Sequence, residues 1–183
     1  MTHRWRNCSL ALILLATGLT STPAQIQERI PTDIELHAAA CIPMMQWGVR
    51  TSREALTEIE QGIATIRARP PEQQFALEIA EGQRRDAAKA LETTDSALKR
   101  LQAYLLPRLM TLDAFSVMAA NNRGEADVQE LERNVDACNA CSQAAIHRNP
   151  TKPDFAACAA NECNLKPVND RLAACRNPSW LPF

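Results

Sequence analysis

Residues 72–106 read EQQFALEIAEGQRRDAAKALETTDSALKRLQAYLL and carry the most regular helical pattern in the chain. Apolar residues recur there at steps of three and four, which places them along one face of an α-helix. That face runs from Leu77 to Leu105 and is interrupted by Arg84 and Thr94. A sustained seven-residue repeat is typical of a long helix that lies along other helices, as in coiled coils. We therefore predict an all-α fold.

The region 33–69, which precedes this helix, is also predicted to be helical. Thr32-Asp-Ile-Glu35 has the capping-box pattern that opens a helix. We expect Pro43 and Gly48 to interrupt that helix, and Thr51-Ser-Arg-Glu54 to begin a second one. Prolines at positions 70 and 71 end the region, because proline lacks a backbone donor and restricts the residue before it.

A third helical region, 108–148, follows the break expected at Pro107. We expect a C-terminal cap at Asn121-Asn-Arg-Gly124, after which the helix resumes as far as His147. The segment 153–175 is predicted to form two short helices. Three regions of similar length joined by prolines favour an antiparallel three- to four-helix bundle with long heptad-patterned helices.

Residues 1–24 have the order of a secretory signal peptide. A basic start precedes the apolar run LALILLATGL at residues 10–19, and Thr22-Pro23-Ala24 offers small residues for cleavage. This run of ten residues spans only about 15 Å as a helix, which is too short for a membrane anchor. The order of basic, apolar and small residues also favours a signal peptide over a buried N-terminal helix. No later segment approaches 18 apolar residues. We expect residues 1–24 to be removed and residues 25–183 to form one α-helical domain outside the cytoplasm, periplasmic or secreted.

The composition excludes several classes of protein. The net charge is −1, which argues against a nucleic-acid arm or a polybasic membrane patch. Hydrophobic residues make up 46% of the chain and charged residues 22%, which excludes a largely disordered protein. The 16 Arg against 4 Lys match a bias common in GC-rich bacterial genomes, and we expect a Gram-negative source.

Six cysteines remain once the signal peptide and its Cys8 are removed, and five of them lie in the cysteine-rich region 138–175. An even number in an oxidising compartment predicts disulfides. A helical hairpin closed by the segment 149–153 would set the cysteines of its two arms opposite each other. The last cysteine, Cys175, would then lie near Cys41 in the first helical region. This topology predicts a disulfide-stapled C-terminal helical hairpin with the pairs Cys141–Cys158, Cys138–Cys163 and Cys41–Cys175.

The cysteines, with nearby histidines and methionines, also allow two more specific interpretations, a redox site and a metal site. Cys138-Asn-Ala-Cys141 has the spacing of a redox pair, but it lies late in an amphipathic helix instead of at a helix N-terminus. Cys138, Cys141 and His147, with Cys158 or Cys163, could supply tetrahedral zinc ligands. His37, Cys41 and Met44 or Met45 hold soft ligands suited to copper, although Pro43 disturbs their spacing. Our prediction assigns no metal and no cofactor.

Motifs of enzymes are missing from the sequence. It contains no GxSxG, no HExxH and no glycine-rich phosphate loop. The C-terminal aromatic residues Trp180 and Phe183 either pack on the protein's own helices or anchor a partner. We therefore expect a non-catalytic binding or adaptor protein that contacts another envelope protein or a secretion component. The alternative is a thiol-disulfide or metal-handling protein centred on Cys138 and Cys141.

Overall fold

The computed structural model describes residues 28–71, 74, 76–161, 163 and 166–182. The predicted signal peptide lies outside these residues. The described helices are α1 (Asp33–Arg67), α2 (Leu77–Leu105), a 3-10 helix (Leu106–Thr111), α3 (Ala114–Arg148), α4 (Ala156–Asn161) and α5 (Lys166–Arg176). The described residues form no β-strand, apart from one isolated bridge between Arg29 and Leu112. The prediction of an all-α protein is confirmed.

Helix α1 is continuous, so the predicted interruption at Pro43 and Gly48 and the second helix start at Thr51 are wrong. The helix does begin at the predicted capping box, in which Thr32 and Glu35 exchange hydrogen bonds. Pro43 and Gly48 are both buried inside the helix. The hydroxyl of Thr51 donates to the Trp47 carbonyl, 3.0 Å away, within the same helix. Packing against neighbouring helices therefore outweighs the local breaking signals.

Thr94, a polar interruption of the apolar face of α2, is fully buried. Its hydroxyl donates to the Ala90 carbonyl one turn earlier, at 2.8 Å, which satisfies the polar group. Its methyl group meets α1 at Gly48, where a Cβ would lie 2.9 Å from Thr94 Cγ2. Glycine at position 48 thus makes room for the second helix. Arg84, the other interruption, is exposed.

Helix α3 passes through Gly124 without a break, so the predicted C-terminal cap at Asn121–Gly124 is wrong. Gly124 is buried against α1, and a Cβ there would lie 2.0 Å from the carbonyl oxygen of Ala40. Glycine is required here by the close approach of two helix backbones. The helix ends at Arg148, one residue after the predicted end at His147.

Helix α1 contacts α2, α3 and α5, whereas α2 and α3 hardly touch each other among the described residues. Arg67 near the end of α1 pairs with Glu81 near the start of α2 at 2.7 Å, so these helices run in opposite directions. Arg50 of α1 pairs with Glu132 of α3 at 2.8 Å, ten residues beyond Ala40 in α1 and eight beyond Gly124 in α3. Helices α1 and α3 therefore run in the same direction.

One core cluster joins α1, α2, α5 and the C-terminal segment. Its buried residues are Ala38, Cys41, Met44, Met45, Ala97, Leu101, Tyr104, Leu172, Cys175 and Leu181. A second, smaller cluster lies where the 3-10 helix meets α1 and α3, and contains Ala39, Leu105, Leu112 and Ala120. None of the described helices is long and apolar enough to cross a membrane.

Candidate functional site

Three disulfides join the six cysteines of the predicted mature chain. Cys138–Cys163 and Cys141–Cys158 tie α3 to the region of α4, with Cα–Cα distances of 4.7 and 5.7 Å. Cys41–Cys175 ties α1 to α5, with a Cα–Cα distance of 5.3 Å. These are the pairs that the sequence analysis predicts. Three disulfides indicate an oxidising, extracellular or secreted environment.

The two cysteines of the redox-like motif are not paired with each other. Cys138 is bonded to Cys163, and Cys141 is bonded to Cys158. Neither sulfur is a free thiolate, which is the form that attacks a disulfide or binds zinc. His147 is exposed in the last turn of α3. The structure thus does not bring these residues together as a redox or metal centre.

The soft side chains of α1 surround the Cys41–Cys175 disulfide. The Nε2 atom of His37 lies 3.9 Å from Cys41 Sγ, and Met44 Sδ lies 3.9 Å from Cys175 Sγ. The ring of Trp180 lies 4.5 Å from the His37 ring, and its Nε1 donates to the Ala174 carbonyl. Trp180 therefore packs on the protein's own helices. No group of three or more potential ligands was found among the described His, Cys, Asp and Glu residues.

An apolar groove lies at the opposite face of α1, between this helix, the 3-10 helix and α3. Its volume is about 410 Å³. The lining residues are Ala39, Ile42, Leu105, Leu109, Ala114, Val117, Met118 and Asn121. Large apolar side chains stand exposed around it: Leu106 is 58% exposed, Met110 74% and Phe115 72%. These three residues are neighbours in sequence of the lining residues Leu105, Leu109 and Ala114. Clustered exposed apolar residues are typical of interaction sites.

Local sequence explains why this end of the molecule leaves apolar side chains in solvent. Pro107 turns the end of α2 into a 3-10 helix of only six residues, which contributes no buried residue of its own. Leu112 is then buried, and the side chain of Asp113 caps α3 by accepting from the Ser116 amide at 2.9 Å. The chain thereby reverses within a few residues, and the described helices leave Leu106, Met110 and Phe115 exposed.

Glu35 fixes the segments next to the groove. This carboxylate is 2% exposed and accepts from Arg29 Nη1 at 2.8 Å. Arg108 of the 3-10 helix lies 4.0 Å from the same carboxylate, and its guanidinium stacks on the Tyr104 ring at 4.2 Å. The hydrogen bond from Arg29 lowers the pKa of Glu35 to about 2, and hydrogen bonds from Thr32 act in the same direction. Glu35 is therefore charged at neutral pH and joins three segments of chain.

The sequence analysis missed both the groove and the two arginines, Arg29 and Arg108, that contact Glu35. The signal for the groove was the run of large apolar residues that follows Pro107, which the described helices do not bury completely. The capping box identified Glu35, but nothing local pointed to Arg108. Comparison with protein families, with characterised proteins and with solved structures found no match for this chain.

Proposed function

We propose that this protein is an exported, non-catalytic binding protein of the bacterial cell envelope that acts through protein–protein contacts at the apolar groove. The groove itself carries the proposal. Seven of its eight lining residues are apolar, and only Asn121 offers an amide. The occupant must therefore present an apolar surface.

The shape of the groove favours an amphipathic helix of a partner protein as the occupant. Helix α3 contributes residues 114, 117, 118 and 121, which lie on one face over two turns, about 10 Å in length. Helix α1 contributes Ala39 and Ile42, also one turn apart, so the groove runs between two helix surfaces. Ala39 is buried at 2% exposure, while Leu109 and Met118 stand at 37% and 54% exposure. Such grooves accept helices with apolar residues at i, i+3 or i+4, and i+7.

Flexible side chains at the rim suit this function. Methionine has three rotatable bonds and a polarizable sulfur, so it adapts its shape to a partner. Met110 and Met118 are both more than half exposed beside the groove. Helices α1 and α3, which carry the groove, pack directly on each other at Gly124 and Ala40. Such a pre-formed arrangement lowers the entropic cost of binding.

The compartment and the finer architecture belong to the same proposal. The signal-like residues 1–24 and the disulfides support export to the periplasm of a Gram-negative bacterium. We also propose that residues 25–183 form one domain, an antiparallel bundle in which the heptad face of α2 packs on α1. Three positions of that face, Thr94, Leu101 and Leu105, are buried, which supports this arrangement.

The binding function is tested with purified, disulfide-intact protein and an envelope extract of the source bacterium. We expect Met118→Asp to lower the capture of a specific protein at least tenfold, because a charge would be desolvated in the interface. The matched control is Ile79→Asp, since Ile79 is 66% exposed on α2 and does not line the groove. Both variants should keep the native unfolding midpoint.

The captured protein then supplies the decisive measurement. A synthetic peptide that covers its amphipathic helix should bind the native protein with one-to-one stoichiometry and should not bind the Met118→Asp variant. Equal capture by both variants would overturn the proposal. So would a native protein that is dimeric through the groove, because the occupant would then be a second copy of this chain.

A further inference from the structure

A second cavity lies between α2 and the end of α5, and it shares no lining residue with the apolar groove. Its volume is about 370 Å³, which falls within the range of small-molecule sites. The lining residues are Thr93, Ser96, Ala97, Arg100, Ala173, Arg176, Asn177 and Pro178. Five of these residues are polar and carry two guanidinium groups, two hydroxyls and one amide. The other three are two alanines and a proline.

The charge of this cavity is one-sided. Arg100 and Arg176 both line it, and none of its lining residues is acidic. On α2, Ser96 and Arg100 are four residues apart and thus lie on one face. Thr93 already donates its hydroxyl proton to the Lys89 carbonyl at 2.8 Å, so Ser96 is the hydroxyl that remains to donate. The cavity therefore offers donors and positive charge to a ligand.

Arg176 gives an independent indication of a ligand. Its Nε atom is buried and has no hydrogen-bond partner among the described residues. A buried donor without a partner loses its hydration without compensation, so such groups in folded proteins normally have a partner. Arg171, five residues earlier in α5, also has a buried Nε without a hydrogen-bond partner, but its charge is paired: Nε lies 3.2 Å from Asp127 and Nη2 lies 2.8 Å from Glu130. Arg176 has no ion pair of that kind within the described part of the chain.

We propose that this cavity binds a small organic anion, whose carboxylate or phosphate group is held by Arg176 and Arg100. The planar guanidinium of arginine matches the two oxygens of such groups and can donate to both. Ser96 and the Asn177 amide supply further donors, and Ala97, Ala173 and Pro178 contact the apolar body of the ligand. The cavity is larger than an inorganic oxyanion requires, which is why the ligand is an organic one.

The proposal is tested by calorimetric titration of the native, disulfide-intact protein with phenyl phosphate, benzoate and inorganic phosphate at constant ionic strength. We expect saturable one-to-one binding of phenyl phosphate or benzoate, and at least tenfold weaker binding of inorganic phosphate, which lacks the apolar body. The preferred aromatic probe identifies the head group as phosphate or carboxylate. Inorganic phosphate that binds as tightly as both aromatic probes would overturn the assignment to an organic anion.

Substitutions of Arg176 test whether the probe binds in this cavity. Arg176→Gln should weaken binding of the preferred probe at least tenfold, and Arg176→Lys should restore only part of it, because lysine keeps the charge but loses the fork. Arg84→Gln is the matched control, since Arg84 is an exposed arginine of α2 outside the cavity. All three variants should unfold at the native midpoint without ligand. Failure of both aromatic probes to saturate, or equal losses in Arg84→Gln and Arg176→Gln, would refute the proposal.

Discussion

Among the described residues, Glu35 has the most strongly shifted pKa. Its hydrogen bonds with Arg29 and Thr32 favour the charged form and lower its pKa from 4.5 to about 2. The folded-state pKa thus lies below the unfolded one, so the folded protein gains stability from this group above the unfolded pKa. That stability is lost as the pH falls from about 5 through 2, where the unfolded state binds the proton first.

We expect Glu35→Gln to lower the free energy of unfolding at pH 7 by about 2 kcal/mol, because the amide cannot replace a charged partner of Arg29. Urea unfolding at pH 7 and at pH 2.5 measures the effect. The difference between the variant and the native protein should shrink at the lower pH, since most of the stabilisation by Glu35 is then lost. Glu58→Gln, at an exposed position of the same helix, is the control and should change neither value. A native acid dependence that persists in Glu35→Gln would contradict this explanation.

The contacts of Glu35 also show which interactions can be predicted from local sequence. The Thr32–Glu35 capping box follows from spacing alone, and the structure contains it. The contact between Glu35 and Arg108 joins residues 73 positions apart, and only the path of the chain through α2 brings them together. Sequence therefore predicts the half of this network that lies within one helical turn and not the half that tertiary structure creates.

At the level of helices, the errors of prediction concern residues that are special for packing. Proline inside a helix costs about 3 kcal/mol and glycine about 1 kcal/mol relative to alanine, so Pro43, Gly48 and Gly124 look like breaks. In the structure all three lie in buried positions of continuous helices. Burial of α1 against three other helices supplies more stabilisation than these residues cost. Glycine in such a helix indicates a close crossing as readily as an end.

The two glycines Gly124 and Gly62 make this argument testable. A Cβ at Gly124 would lie 2.0 Å from the Ala40 carbonyl oxygen, whereas a Cβ at Gly62 would meet nothing within 4 Å. We expect Gly124→Ala to destabilise the protein by about 3 kcal/mol, because two backbones must separate. Gly62→Ala should instead stabilise it by about 0.5–1 kcal/mol through helix propensity. Chemical denaturation measures both, and a similar effect of the two substitutions would show that α1 and α3 do not cross at Gly124.

Across the whole molecule, the succession of helices and the pairing of cysteines can be predicted from the sequence, whereas the two candidate binding sites cannot. When consecutive helical regions run in opposite directions, each cysteine lies next to one other cysteine, and this determines the disulfide pairs. The apolar groove and the anion cavity depend on what remains uncovered after packing. Leu109 and Leu105, for example, lie in neighbouring turns with the same chemistry, yet the first is 37% exposed and the second 3%. No local pattern distinguishes two such leucines.

The three disulfides close loops of very different length, with sequence separations of 134, 25 and 17 residues. In the chain-entropy model these loops contribute about 5, 3.5 and 3 kcal/mol respectively, because each bridge restricts the unfolded chain. We therefore expect replacement of Cys41 and Cys175 by alanine to lower the free energy of unfolding more than replacement of Cys141 and Cys158. The long bridge also lies in the main core cluster, so its loss leaves a cavity as well.

Denaturant unfolding of the two double-alanine variants measures this order, and the native protein is the reference. A thiol count on the same samples tests the premise of export. Protein purified from the periplasm should lack residues 1–24 and show no titratable thiol, whereas full-length protein retains Cys8 as a seventh cysteine without a partner among the other six. If the short-loop variant proves the less stable of the two, local strain or structure in the unfolded chain, and not loop length, governs the contribution of these bridges.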